Sequence, residues 1–169
     1  MNYINKEKRD ILIFPKFNNI EIIQEIRKKY DELYSIIPPH ITLAFPFKDD
    51  ILNDELKEKL QSLLTKTKPF KITCSGISLK EDKKINKFYI FLNILEGAEI
   101  LKKLHEKIYT DVLNKNKIVD YTPHITLGTT SNKNESIKLN SVFSTTIDSI
   151  AVESIGENEK SIIEFEIKL

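Results

Sequence analysis

The chain has very little cysteine: Cys74 stands alone among 169 residues, which excludes an intrachain disulfide and suits a reducing compartment. Its four glycines leave little room for a phosphate-cradling glycine loop, and no such motif occurs. An excess of one charge is missing too. Lysine and arginine number 26 against 25 aspartates and glutamates, for a net charge of +1. No global field then draws the chain to nucleic acid or to a membrane, and a broad non-specific RNA surface is not expected. Long apolar runs are absent: nothing approaches a membrane span, and Met1–Lys6 carries no apolar signal region. The expectation is a cytoplasmic protein without membrane contact. Hydrophobic content of 40% and charged content of 30% are ordinary for a globular chain, and the length fits one domain spanning 1–169.

Against this plain background one pattern stands out. The pentapeptide Pro-His-Ile-Thr-Leu occurs at Pro39–Leu43 and again at Pro123–Leu127. Two of the three histidines, His40 and His124, sit at the same place in the two copies, each followed by a threonine, Thr42 and Thr126. On a strand, residues i and i+2 share a face, so each copy presents an imidazole beside a hydroxyl. A coincidental repeat of this kind has a chance on the order of one in a hundred.

The surrounding periodicity repeats as well. Ile11–Phe14 reads as a strand stopped by Pro15, and Ile20–Tyr34 as a helix with Ile23, Ile26, Tyr30 and Leu33 on one face. Pro38-Pro39 then forces extended chain into the first motif. By simple alternation Phe45 and Phe47 face away from His40, toward the core. Asn53 is the expected N-cap of a helix running to about Lys66. Phe70–Leu79 and Lys87–Leu95 read as strands joined by the charged segment Lys80–Asn86. The second is apolar on both faces, as in a central strand covered on both sides. Gly97–Asn114 reads as a helix, with His105 on its flank and not a ligand. A loop through Tyr121 delivers the second motif, and Val142–Ser154 and Ser161–Leu169 close the chain as strands. Strand, helix and His-x-Thr strand thus recur around 11–46 and 87–128, the mark of an internal duplication.

Cleaving a ribose phosphodiester requires one group to take a proton from the attacking oxygen and another to protonate the leaving oxygen. Histidine, with an unperturbed pKa of about 6.5, does either near neutral pH. Threonine hydroxyls can donate to the non-bridging phosphate oxygens. Two His–Thr pairs therefore supply every role without a metal, and two histidines alone make a poor zinc site.

These two proline-preceded His-Ile-Thr-Leu motifs, with Leu12-Ile13-Phe14-Pro15 and Ile37-Pro38-Pro39-His40, resemble the 2H phosphoesterase superfamily. That superfamily holds the 2′-5′ RNA ligase-like proteins and cyclic phosphodiesterases, and the likeness is to its small bacterial branch. The resemblance implies a bilobal, pseudo-twofold α+β fold, with two antiparallel sheets flanked by helices around a central cleft. It implies catalytic His40, Thr42, His124 and Thr126, with His40 as base and His124 as acid. It also implies no cofactor or metal, and a nucleotide or RNA end as substrate. Tyr121 is the candidate for stacking on a base. A monomer with no obligate protein partner is expected. Many ligase-like members carry an arginine shortly after the second motif; here Leu127-Gly128-Thr129-Thr130 follows, and Lys16, Lys48 and Lys133 are the candidate substitutes. A non-catalytic RNA-end or nucleotide-binding module of the same fold and a hydrolase of a cyclic oligonucleotide signal are the alternatives. A purely architectural duplicated sheet is a third.

Overall fold

Proline and aspartate punctuate the first half of the chain. The computed structural model describes residues 8–157 and 160–169, so the reading of Met1–Lys6 lies outside the described residues. Strand β1 (Lys8–Ile13) ends shortly before Pro15, and helix α1 (Ile20–Tyr30) follows. α1 stops four residues before the position its periodicity suggests. Asp31 is extended (φ −115°, ψ 110°), and its carboxylate accepts from the Arg27 Nε at 2.8 Å and from the Leu33 backbone N–H at 2.9 Å. That local bonding competes with the next helical turn, and Leu33 is left exposed.

Strand β2 (Ile41–Phe47) carries the first motif, and helix α2 (Asn53–Leu64) buries Leu56, Leu60 and Leu64. Asn53 does not cap α2; Leu52 occupies that position. The Asn53 amide instead accepts from Arg9 at 2.9 Å and donates to Glu164 at 3.0 Å. Strands β3 (Phe70–Asp82) and β4 (Lys87–Glu96) form a long hairpin, so Lys80 lies in a strand and not in the connecting turn. Helix α3 (Ala98–Lys107) runs into a π-helical turn over Ile108–Val112. Strand β5 (His124–Thr130) holds the second motif. The segment read as one strand from Val142 to Ser154 is two, β6 (Phe143–Ile147) and β7 (Ser149–Ile155), broken at Asp148. Strand β8 (Ser161–Lys168) ends the chain.

The strands form one antiparallel sheet in the order β6-β3-β4-β5-β2-β1-β7-β8, where two separate sheets were expected. The two halves do exist, as β6-β3-β4-β5 and β2-β1-β7-β8, and a single pair, Ile41 with Ile125, joins them. A flat sheet would set β6 and β7 about 29 Å apart, six spacings of roughly 4.8 Å. Asp148 alone connects them, so the sheet is strongly curled between them. Exchanging the halves maps β2 onto β5, β1 onto β4 and β7 onto β3, which is the duplication inferred from the repeats.

One face carries the core. Ile11, Ile13, Ile41, Leu43, Ile90, Leu92, Ile125 and Leu127 pack with Ile23 of α1, Leu56 and Leu60 of α2, and Leu101, Leu104 and Ile108 of α3 and its π turn. The helices reach across the seam, α1 onto β5 and α3 onto β2. Gly128 marks the tightest approach: its φ is +134°, and a Cβ there would lie 2.2 Å from the Tyr30 carbonyl oxygen. Only glycine lets the end of α1 sit on β5.

Candidate active site

The seam register decides where the motif side chains go. Directly opposed residues in an antiparallel pair point to the same face. With Ile41 opposite Ile125 and both in the core, the flanking His40, Thr42, His124 and Thr126 all fall on the opposite face. The same register sets each histidine toward the threonine of the other copy. Both histidines are half-buried.

Each imidazole is held in the same way. The Nδ1 of His40 lies 2.9 Å from the Pro38 carbonyl, and that of His124 lies 2.7 Å from the Thr122 carbonyl. A carbonyl oxygen can only accept, so in both rings Nδ1–H donates, and Nε2 has no partner among the described residues. Burial pushes both histidines below their ordinary pKa of 6.5, and the carbonyl bonds oppose this. Arg27 lowers His40 further while Asp31 raises it. Lys80 and His40 itself lower His124. The influence of one ring on the other places them in a common field.

Their neighbours differ. Phe91 stacks on His124, with centroids 3.6 Å apart and planes at 23°, and Tyr89 stacks in turn on Phe91. Among the described residues, the aromatic ring His40 meets is Phe14, edge-on at 6.2 Å. The aromatic face of β4 is thus half-exposed and lines the site, which corrects the expectation that protein covers both faces. Phe45 is also displaced from its expected place. The β1–β2 register slips by one residue between Thr42 and Ala44, a bulge that reverses side-chain parity. Phe45 consequently stands on the same face as Thr42, 36% exposed, while Phe47 is buried as expected. The β4–β5 register slips at the matching place, between Thr126 and Gly128.

Beyond Ile41 the β2–β5 ladder stops, and side chains satisfy the backbone of β2 instead. The Tyr121 hydroxyl donates to the Thr42 carbonyl at 2.7 Å, and His105 Nδ1–H donates to the Leu43 carbonyl at 2.7 Å. The Phe45 N–H donates to the Tyr109 hydroxyl at 3.2 Å; the π turn places Tyr109 there. His105 also accepts the Ile118 N–H at 3.3 Å and stacks on Tyr121 at 3.8 Å. It is a buried core residue, not a helix-flank one, and both its nitrogens are used. Tyr121 lines the open face beside His124, but its hydroxyl and one ring face are committed to holding the seam.

The loop before the first motif has its own anchor. Arg27, 1% exposed, donates to the Ile37 carbonyl at 2.8 Å while paired with Asp31. The sequence singled out neither Arg27 nor His105 as a loop anchor, since long-range bonds to backbone carbonyls leave no spacing signal.

A groove of about 480 Å³ opens beside His124, lined by Phe45, Phe91, Tyr121, Asp120 and Lys80 among others. Lys80 was not foreseen. Of the lysines that were, Lys16 lines a separate hollow, and Lys48 and Lys133 do not line this groove. Among the described residues no three His, Cys, Asp or Glu side chains are grouped as metal ligands, and no helix is long and apolar enough to cross a membrane.

Fold and site together define a class: a duplicated α+β protein whose halves each bring a His-x-Thr strand to a shared seam. The sequence model of the 2′-5′ RNA ligase superfamily matches residues 15–159. A protein of Geobacillus sp. strain WCH70, named as a candidate phosphoesterase, is 32% identical over 128 residues, covering 72% of this chain and 68% of its own. The crystal structure of TT0787 of Thermus thermophilus superposes with a TM-score of 0.65 at 14% identity, over 96% of this chain and 97% of that one. Apo E. coli LigT gives 0.63 at 17% identity, over 96% and 97%. The chain belongs to the 2′-5′ RNA ligase superfamily, the 2H phosphoesterases.

Proposed function

We propose that the protein is a metal-independent phosphodiesterase that opens a 2′,3′-cyclic phosphate, or cleaves a 2′-5′ linkage, at a nucleotide or RNA end. The observation that carries this reading is the matched pair of imidazoles. Each is fixed as the Nδ1–H tautomer with Nε2 free, on one face with Thr42 and Thr126. For a cyclic phosphate, a water oxygen attacks phosphorus while one Nε2 takes its proton. The bond from phosphorus to one ribose oxygen breaks, and the other histidine's Nε2–H protonates that oxygen. The threonine hydroxyls donate to the non-bridging oxygens as charge builds on them. The groove beside His124 gives the nucleoside a place on that side. The leaving ribose oxygen then falls to His124 as acid, and water to His40 as base.

The test is hydrolysis of a 2′,3′-cyclic mononucleotide in EDTA by the wild type, His40→Ala and His124→Ala. Each substitution should lower kcat by about 10³-fold with the fold intact. Near-wild-type turnover in either variant refutes the two-histidine mechanism. Nucleotide binding without product over long incubation would make the protein a binding module of the same fold.

A further inference from the structure

The two walls beside the histidines occupy equivalent places in the duplication, yet their chemistry is opposed. On the β3–β4 wall, Thr126 pairs with Phe91 and Phe91 with Ser78, and the next row pairs Tyr89 with Lys80. On the β1–β7 wall, Thr42 pairs with Leu12 and Leu12 with Ala151, and the next row pairs Asp10 with Glu153. Lys80 therefore stands where its twofold mate is Glu153. The walls also differ in access: Asp10, Leu12, Ala151 and Glu153 are all buried, whereas Ser78 and Lys80 are exposed. One wall is open, aromatic and cationic; the other is filled and carboxylic.

An anionic substrate is drawn to the first wall by its cation, and the buried second wall leaves it no space. Lys80 lies two residues along the strand from the Thr126 row, a step of about 7 Å. A ribose whose 2′,3′ edge lies at the histidines directs its 5′ carbon away from them, down the groove. Among the described residues Lys80 forms no ion pair, so its charge is available there. We infer that Lys80 holds a second phosphate of the substrate, the 5′-phosphate of the nucleotide whose 2′,3′ edge lies between His40 and His124. The recognised part of the substrate then lies wholly on the β3–β4 side, and the His40 side admits only a small group such as water. This supplies the cation that the residues after the second motif lack. It rests on the reading above that the ligand is a nucleotide end.

Calorimetric binding separates this inference from turnover. Adenosine 3′,5′-bisphosphate and adenosine 3′-monophosphate are titrated into the wild type, Lys80→Ala and Lys80→Arg. The bisphosphate should bind the wild type about tenfold more tightly than the monophosphate. That ratio should fall toward one in Lys80→Ala and return in Lys80→Arg. A ratio near one in the wild type, a ratio that survives Lys80→Ala, or no binding of either nucleotide overturns the inference. If the ratio behaves as expected while no cyclic phosphate is ever hydrolysed, the phosphodiesterase reading fails and the role of Lys80 stands.

Discussion

Replacing Asp10 by asparagine should stabilise the fold at pH 8 and leave it nearly unchanged at pH 5. Asp10 and Glu153 are directly opposed on β1 and β7, 8% and 4% exposed. Opposed Cβ atoms lie about 5 Å apart, so the two carboxyls crowd one another. Among the described residues, Oδ1 of Asp10 and Oε2 of Glu153 have no hydrogen-bond partner. Burial first, and the Glu153 charge second, push the Asp10 carboxyl up to about 7 from 3.8. Burial also raises Glu153, against a bond from Ser161. Between those two values the folded chain keeps a proton that the unfolded chain has released, so this contribution to stability falls as pH rises through the window. Three units at about 1.4 kcal/mol each set an upper limit of about 4 kcal/mol. Asparagine keeps the shape, never ionises, and can donate its amide to Glu153, at the cost of burying that amide. The expected gain is about 2 kcal/mol at pH 8 and under about 0.5 kcal/mol at pH 5. Urea unfolding of both proteins at pH 5, 6, 7 and 8 measures it. Taking the difference between them cancels the carboxylates common to both, apart from Glu153, which is coupled to Asp10. A difference that does not change with pH, or a variant less stable at pH 8, would refute the reasoning.

Both catalytic candidates lie below 6.5. The base becomes competent as pH rises through its value, and the acid loses its proton as pH rises through its own. The kcat/KM profile, which reports the free enzyme, should therefore peak below pH 6.5; a maximum above pH 7.5 would contradict it. Gly128→Ala would drive a Cβ to within 2.2 Å of the Tyr30 carbonyl oxygen at a φ of +134°. It should cost about 3 kcal/mol or more and lower Tm by roughly 6–12 °C. A thermal melt within 2 °C of the wild type would show that α1 moves aside without cost.

What could be read from the chain was whatever obeys a local period. The strand and helix sequence, the core stripes of α2 and α3, and the shared face of each His-x-Thr pair all follow from spacings of two or three to four residues. Phe45 escaped because a one-residue bulge after Thr42 reverses parity, and no residue type announces it. Lys80 escaped because a strand rich in charge reads as a loop; pairing with β4 extends β3 to Asp82 regardless. His105 and Arg27 act through backbone carbonyls of Leu43 and Ile37, contacts set by tertiary packing. The end of β6 shows the same limit. Asp148 divides what is otherwise continuous β-forming sequence, and the division follows from where the bent sheet places edge strand β6 and β7, the strand next to the other edge.

A strict twofold would give the two histidines identical surroundings, whereas acid–base catalysis requires one to start neutral and the other protonated. The backbone is faithful to the duplication: each imidazole takes a carbonyl two residues upstream, and each motif strand bulges just past its threonine. The side chains around the two histidines depart from it. His124 has a stacked phenylalanine and a lysine near it; His40 has an aromatic edge and the Arg27–Asp31 pair behind it. A positive charge near His124 disfavours its imidazolium in the empty site and would be offset when an anionic substrate arrives. Under the proposed mechanism, proton loading of His124 would then be coupled to substrate binding. Asp31, by contrast, works against the burial and Arg27 effects that lower His40, whether or not a substrate is bound. Duplication supplied two equivalent groups, and divergence of their surroundings is what would make the roles proposed for them unequal.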